Sequence, residues 1–237
     1  MFEKFFDDYP QFQKTSAVTP ALDRLNPRFH NLIARNREII KGARILDLGS
    51  HDGRWSFAAL KNGAASVTGV EGRGYLVENA RKTMIHYGAE PSSFEFIVGD
   101  VNNEVEKFGK GSFDVVFVFG VLYHVPSPFD MLSKVAALEP RHIIVDTAVS
   151  AIKEPVIEFR LDNAERESDS ISLAQGKKKT LVGRPSESAL FMMLDELGFD
   201  VEKMDYRTLG IEDWSELPDY NENLRISVVG RRRKPAR

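Results

Sequence analysis

Four short stretches of this chain combine residue types and spacings that could do chemistry. "ILDLGSHDG" sets Asp47, Gly49, Ser50, His51, Asp52 and Gly53 after an apolar run, "VTGVEGR" offers Glu71 and Gly72, "FIVGDV" offers Asp100 and Val101, and "FGVLYHV" offers Gly120, Tyr123 and His124. Gly49 and Gly53 let a backbone approach a ligand through a turn that side chains would obstruct. The dinucleotide pattern G-x-G-x-x-G is absent, because His51 stands where its second glycine would be. A carboxylate at Asp52 would also oppose a pyrophosphate at the following helix N-terminus. The loop therefore favours a ligand without phosphate. Glu71 can accept hydrogen bonds from both hydroxyls of a ribose, and Asp100 is placed to meet the edge of an adenine ring. With Asp47 and Asp52 suited to a cation, the set describes an adenosine that carries a positive charge.

Transfer chemistry needs a base when the acceptor is a hydroxyl or an amine. Tyr123 and His124 follow the fourth apolar run, and His124 is the candidate base or acceptor-orienting group. Asp146, closing "HIIVD", is the candidate to orient a base or, with a histidine, to hold a divalent cation such as magnesium that acidifies a hydroxyl. No ligand spacing identifies a metal site. Each residue also has a plainer reading. Glu71 and Asp100 could be solvated strand ends, Asp47 a turn cap, His51 a helix-start filler, and His124 a ring packed beside Pro126.

The elements that must position these groups are legible as a repeated alternation. "ARILDL" (43–48), "SVTGVE" (66–71), "FEFIV" (94–98), "FDVVFVF" (113–119) and "HIIVD" (142–146) are short, rich in β-branched and aromatic residues, and nearly continuous in apolarity. Such runs suit strands covered on both faces of a parallel sheet. Helical periods lie between them at 54–61, 76–87 and 129–138, the last opened by Ser127 as N-cap and Pro128. The result predicted is an α/β fold: a Rossmann-like, doubly wound, mostly parallel seven-stranded sheet with an antiparallel strand at its C-terminal edge. In such sheets ligands sit beyond the carboxyl ends of the strands at the topological switch point, where these motifs fall.

Outside that core, residues 1–42 read as a helical lead-in, with "PRFHNLIARNREII" carrying a helical apolar period that should cap the sheet. Residues 148–185 are charged and polar, contain no clear strand, and read as an insertion over the active site. Together with the Trp214–Tyr220 loop they are expected to form the acceptor pocket. Residues 186–230 hold a helix capped by Ser186 and closed by Gly198, then two strands that lack a crossover helix and so should pair antiparallel. Residues 231–237, "RRRKPAR", are a basic tail expected to be solvated. One domain suffices.

Composition narrows the function classes. The 237 residues are 42% hydrophobic and 28% charged, which suits a globular chain with a sizeable core. No apolar run approaches a membrane span, and the acidic "MFEKFFDDYP" is no secretory signal. Zero cysteines remove disulfides, thiolate metal sites and cysteine nucleophiles, and a cytoplasmic location is the default. A net charge of −3 argues against a protein devoted to gripping a phosphate backbone.

The ordered motifs "ILDLGSHDG…VTGVEG…FIVGDV…FDVVFVFGVLYHV" resemble the class I S-adenosylmethionine-dependent methyltransferases over roughly residues 43–146, and the closing strands extend the likeness to Gly230. The family's first motif usually reads D-x-G-x-G-x-G, so Ser50-His51-Asp52 is a departure. The resemblance implies S-adenosylmethionine as cofactor and S-adenosylhomocysteine as product. It implies Asp47 and Gly49 near the methionine moiety, with Ser50, His51 and Gly53 in the same loop. It implies Glu71 and Gly72 on the ribose, Asp100 and Val101 on the adenine, and Gly120 beside the cofactor. "GVLYHVPSPFDML" resembles the branch that includes the wobble-uridine tRNA carboxymethyl transferases and related small-molecule methyltransferases. The expectation is methyl transfer to a hydroxyl, or less readily an amine, of a polar small molecule such as a sugar. The alternatives are a tRNA-modifying alkyl transferase, using Lys177–Lys179, Arg184 and the basic tail, and a non-catalytic nucleoside-binding protein. Partners to look for are a small-molecule acceptor, then tRNA, then a second copy of the chain.

Overall fold

Valine, isoleucine, leucine and phenylalanine in near-continuous runs become strands where both faces are covered. They form β1 (Arg44–Leu48), β2 (Ser66–Glu71), β3 (Phe94–Val98), β4 (Val115–Phe119) and β5 (His142–Ala148). The computed structural model describes residues 2–15, 21–165, 170–171 and 177–234. Helices α1 (Leu22–Leu32) and α2 (Arg37–Ile40) precede the sheet. Then α3 (Arg54–Lys61), α4 (Gly74–His86), α5 (Val101–Glu104) and α6 (Pro128–Ala137) alternate with the first five strands. Ser127 caps α6 as expected, its hydroxyl accepting the Asp130 N–H at 3.4 Å.

The hairpin β6 (Ile157–Asn163) and β7 (Lys179–Pro185) follows, then α7 (Glu187–Glu196), β8 (Phe199–Met204), α8 (Pro218–Asn221) and β9 (Arg225–Arg232). The main sheet runs β3-β2-β1-β4-β5-β9-β8. Its first five strands are mutually parallel, and β9 is antiparallel to both of its neighbours, one strand in from the β8 edge. β1 pairs with β2 on one side and β4 on the other, so the switch point lies between β1 and β4.

Alternation along the strands decides which side chains go to which face. Ile45, Phe117, Phe119 and Ile144 pack under the N-terminal segment, α3 and α4, while Leu46, Leu48, Val116, Val118, Ile143 and Val145 pack under α6 and α7. Asp47 and Asp146 share the first of these faces, a placement that governs both their roles. The lead-in is anchored there by aromatic rings: Phe29 stacks on Phe5 at 4.3 Å, and Phe6 meets Trp55 edge-on at 5.5 Å. Each such buried ring contributes about 1.5–3 kcal/mol. The helical period read over 27–40 is divided, α1 beginning at Leu22 and a 3-10 turn at Ala34–Asn36 separating it from α2. Arg24 and Arg28, one helical turn apart, project together from α1.

Two expectations need correction. The 148–185 segment does contain strands: β6 and β7 pair over seven residues as a sheet of their own. In β6 the apolar side chains alternate with charges, and Phe159 and Leu161 stay 63% and 69% exposed. They join no core run, so a search for continuous apolarity misses them. The basic tail is also not wholly solvated. Arg231 and Arg232 lie in β9, Arg232 donates to the Pro140 and Ala136 carbonyls, and Arg233 pairs with Asp195. Residues 235–237 lie outside the described residues. Among the described residues no helix is long and apolar enough to cross a membrane.

Candidate active site

The turn after β1 is built from left-handed backbone. Gly49, His51 and Gly53 have φ of +71°, +53° and +77°. The Gly49 and Ser50 N–H groups both donate to the Val70 carbonyl, at 2.9 and 3.0 Å, folding the turn back over β2. A side chain at Gly49 would place Cβ 2.8 Å from Val121 Cβ, so the β1 and β4 turns meet across this glycine. Gly53 serves packing instead: its Cβ would lie 2.9 Å from both Ala80 and Phe96. A cavity of about 610 Å³ opens at the switch point. Gly49 and His51 line it, whereas Asp47, Ser50, Asp52 and Gly53 do not.

The two aspartates of this turn therefore differ from expectation. Asp52 does not offer its charge to a ligand. It is fully buried, and Arg54 holds it in a two-pronged bond at 2.8 and 2.7 Å, with the Thr15 hydroxyl donating at 2.7 Å. Burial alone would raise its pKa, yet Arg54 and then His51 hold it well below the ordinary carboxylate range. Asp47 points under α3, on the Ile45 face, and accepts from the Ser56 hydroxyl at 2.6 Å while its other oxygen has no partner. Burial pushes its carboxyl up to about 7, with the Ser56 bond pulling the other way and Glu71 adding to the rise. It lies behind the cavity wall.

Glu71 is in the wall, only 5% exposed. Its Oε2 accepts the His51 N–H at 3.1 Å and its Oε1 the Arg73 N–H at 2.9 Å. The two backbone donors aim the carboxylate and leave lone pairs on both oxygens, as a vicinal diol requires. A side chain at Gly72 would strike Ile171, which covers this edge. Asp100 caps α5, accepting the Asn102 N–H at 2.8 Å, and lines the cavity with Gly99 and Val101. A carboxylate for a diol and an acidic rim for a ring edge thus share one pocket, which fits the adenosine half of S-adenosylmethionine.

The other end of the cavity holds Gly120, Tyr123 and His124. Gly120, at φ +72°, has open space where a Cβ would be. The His124 ring lies against the Tyr123 ring at 4.0 Å. His124 Nδ1 is 3.1 Å from Asp162 Oδ2 and 2.7 Å from Ser170 Oγ, and Ser170 Oγ donates to the same Asp162 oxygen at 2.8 Å. The His124 hydrogen bond draws the Asp162 carboxyl down to about 2. The hairpin docks through Gly183, whose N–H donates to the Val125 carbonyl at 2.8 Å and whose Cβ would meet the Pro126 carbonyl.

Asp146 neither orients His124 nor offers itself to a metal. It is fully buried and does not line the cavity. Arg225 and Arg28 donate to its Oδ1 at 2.7 and 3.1 Å, and Tyr220 and Ser227 to its Oδ2 at 2.6 and 2.7 Å. Against the upward push of burial, the two guanidinium groups hold its pKa well below the carboxylate range. Arg225 continues to Tyr123 Oη at 3.0 Å and Asp219 at 3.0 Å, and Arg24 binds Asp219 through two nitrogens at 2.7 and 2.8 Å. Arg24, Arg28 and Arg225 all line the cavity, and the Nε groups of Arg24 and Arg28 are buried without partners. Among the described residues no group of three His, Asp or Glu side chains could hold a metal ion.

Sequence reasoning missed Arg24, Arg28, Arg225, Asp162 and Ser170. Arginines one turn apart on α1 were the available signal for the first two. Asp162 and Ser170 sit in the polar insertion, where no local pattern marks them. The Trp214–Tyr220 loop does not line the pocket either. Trp214 and Tyr220 join a small cluster with Leu217, Leu209 and Tyr206, and the loop acts from behind through Asp219 and Tyr220.

Comparison with known proteins agrees with this architecture. Residues 45–140 match the model of the methyltransferase domain family. The tRNA U34 carboxymethyltransferase of Idiomarina loihiensis is 27% identical over 186 residues, covering 76% of this chain and 53% of that protein. That of Helicobacter pylori is 26% identical over 170 residues, covering 71% and 60%. The chain thus spans a little over half the length of these relatives. Among solved structures, the N-terminal domain of EvdMO1 in the presence of S-adenosylhomocysteine and D-fucose aligns with a TM-score of 0.67 and 25% identity, covering 87% of this chain and 83% of that one. Magnesium protoporphyrin IX methyltransferase from Synechocystis PCC 6803, with bound S-adenosylmethionine, shares the fold at a TM-score of 0.61 and 14% identity, covering 97% and 94%. The methyltransferase-domain match thus runs from β1 through α6 of this sheet, and the fold resembles that of solved class I S-adenosylmethionine-dependent methyltransferases.

Proposed function

We propose that this protein transfers a methyl group from S-adenosylmethionine to a hydroxyl of a polar small molecule, with His124 as the base. One observation carries the reading: a single cavity is lined at one end by Glu71 and Asp100 and at the other by His124 and Tyr123. Glu71 would hold the ribose hydroxyls, Asp100 and Val101 the adenine, and Gly49, Gly72 and Gly120 give the backbone its close approach. The bound donor supplies a methyl already activated on a sulfonium, which leaves as the neutral thioether of S-adenosylhomocysteine. The protein's own work is to align the acceptor, exclude water and remove a proton. His124 Nε2 makes no hydrogen bond among the described residues, and it would take the hydroxyl proton as the oxygen lone pair forms the new O–C bond. Ser170 and Ile171, with Thr180 and Leu181 of β7, line the pocket on the side of the insertion. The EvdMO1 likeness, with a sugar present in that study, supports a sugar-like acceptor.

A second reading, alkyl transfer to a wobble uridine of tRNA, is favoured by the buried wall of Arg24, Arg28 and Arg225. Among the described residues, three guanidinium groups there pair with two carboxylates, Asp146 and Asp219. A transferred carboxymethyl group, named in the relatives' activity, would bring the matching negative charge.

Calorimetric titration with S-adenosylmethionine and S-adenosylhomocysteine tests the cofactor site, wild type against Glu71→Ala. Binding of both that weakens at least tenfold in the variant is expected, since a hydrogen bond to a charged group contributes about 1.5–3 kcal/mol. A wild type that binds neither would sink the reading. Acceptors are then screened with sugars and tRNA, with and without magnesium. Salt-sensitive turnover on tRNA with a carboxymethyl donor would favour the second reading.

A further inference from the structure

The base proposed above is not a lone histidine. Its inner nitrogen enters a three-member chain that ends on a carboxylate contributed by the insertion. His124 Nδ1 is 2.7 Å from Ser170 Oγ, and Ser170 Oγ is 2.8 Å from Asp162 Oδ2, with a direct Nδ1–Oδ2 separation of 3.1 Å. The direction of such a chain follows from the group at its end. An ionised carboxylate can only accept, so the Ser170 proton points at Asp162. The Ser170 oxygen is then left to accept, and among the described residues the group within reach to donate to it is the His124 Nδ1–H. The direct contact to Asp162 demands the same proton on the same nitrogen. Both routes give one tautomer: Nδ1 carries the hydrogen and Nε2 carries the lone pair. Asp162 is ionised across the neutral range, its carboxyl drawn down to about 2 by the His124 bond.

Resting on the reading of His124 as base, we propose that Asp162, with Ser170 as relay, is the positioning residue that fixes His124 in the Nδ1–H tautomer and presents Nε2 to the acceptor end of the cavity. The three residues come from different places: the turn after β4, the end of β6, and the segment between β6 and β7. Ser170 is buried while the Asp162 side chain keeps 33% exposure, and Asp162 accepts from both partners, so the chain runs from a buried hydroxyl to a part-buried carboxylate. The insertion that walls the pocket thus also completes the base. Substitution of Asp162, which does not line the cavity, would disable the histidine without touching cofactor or acceptor.

The test is nitrogen-15 NMR of the imidazole rings in the 237-residue chain, recorded at about pH 8.5 so that neutral rings are observed. The chain has five histidines, and the His124 signals are assigned by their loss in His124→Gln. Wild type should show Nδ1 as the protonated nitrogen. Ser170→Ala should keep that tautomer through the direct Asp162 contact, whereas Asp162→Ala should lose it to a mixture or to Nε2–H, and Asp162→Glu should restore it in part. With an acceptor found by the screen, Asp162→Ala should lower kcat by tenfold or more and leave the S-adenosylhomocysteine Kd within about twofold. An Nε2–H ring in wild type, measured without any variant, would overturn the proposal. So would an unchanged tautomer in Asp162→Ala. Should the tautomer behave as expected while no acceptor is alkylated, the transferase reading falls and the positioning role stands.

Discussion

Arg225 meets Asp146 at 2.7 Å in the buried register between β5 and β9, and the same guanidinium reaches Tyr123 Oη at the cavity wall. A carboxylate that reads from sequence as a catalytic or metal-binding group is instead the hub that holds two arginines in place. It acts on the pocket through them. Asp146→Ala should leave Arg28 and Arg225 buried without their shared anion and destabilise the protein by about 3–5 kcal/mol. The check is a fall in the urea midpoint with an unchanged m-value, and Asp146→Asn should fall less.

His124→Ala removes the proposed base and leaves the adenosine end intact. Turnover on an identified acceptor should drop by about 10²–10⁴. The S-adenosylhomocysteine Kd, read by calorimetry, should stay within about twofold. A variant that retains full turnover would show that the acceptor proton leaves by another route.

Asp47 gives stability an unusual pH slope. Its folded pKa, raised to about 7 chiefly by burial, lies above the ordinary carboxylate value, so the native state binds a proton that the unfolded chain has already released. The contribution is fully present below about pH 4 and is lost as pH rises through about 7. Asp47→Asn should remove this slope. Its stability relative to wild type should therefore be greater at pH 8 than at pH 4.5, by an amount on the order of a few kcal/mol. Urea unfolding of both proteins at the two pH values measures this, and the comparison cancels the two partly buried histidines, His30 and His142, whose pKa values are lowered.

Gly53 and Gly120 both have left-handed backbone but should fail differently. Gly53→Ala adds strain and a collision with Ala80 and Phe96, costing about 2–4 kcal/mol while leaving cofactor affinity nearly unchanged. Gly120→Ala meets nothing within 4 Å and should cost only the left-handed strain, about 1–2 kcal/mol. Because Gly120 lines the cavity, that variant should weaken S-adenosylhomocysteine binding. Thermal melts and calorimetry on the pair separate the two roles.

Local pattern carried the sheet and the Glu71 and Asp100 end of the cavity. β2 and β3 fall on the apolar runs that announce them, α3 on its helical period, and Glu71 and Asp100 stand where strand ends in a doubly wound sheet meet a ligand. Those features depend on the sequence near them: burial on both faces demands continuous apolarity, and the strand terminus follows at once. The roles of Asp47, Asp52 and Asp146 were not legible, because a carboxylate looks the same whether it faces a ligand, a serine or two arginines. Its partner is chosen by strand alternation and by elements far away in sequence. Arg28 and Asp146 are 118 residues apart, and His124 and Asp162 are 38 apart. The amphipathic hairpin β6–β7 is stabilised by its own ladder and its dock on the β4 turn, with no core run to announce it. The sequence by itself determined a layered α/β sheet with a nucleoside-sized site at its switch point. Only the tertiary structure decided which charges reach that site, because buried ions take whichever partners folding brings within hydrogen-bond distance.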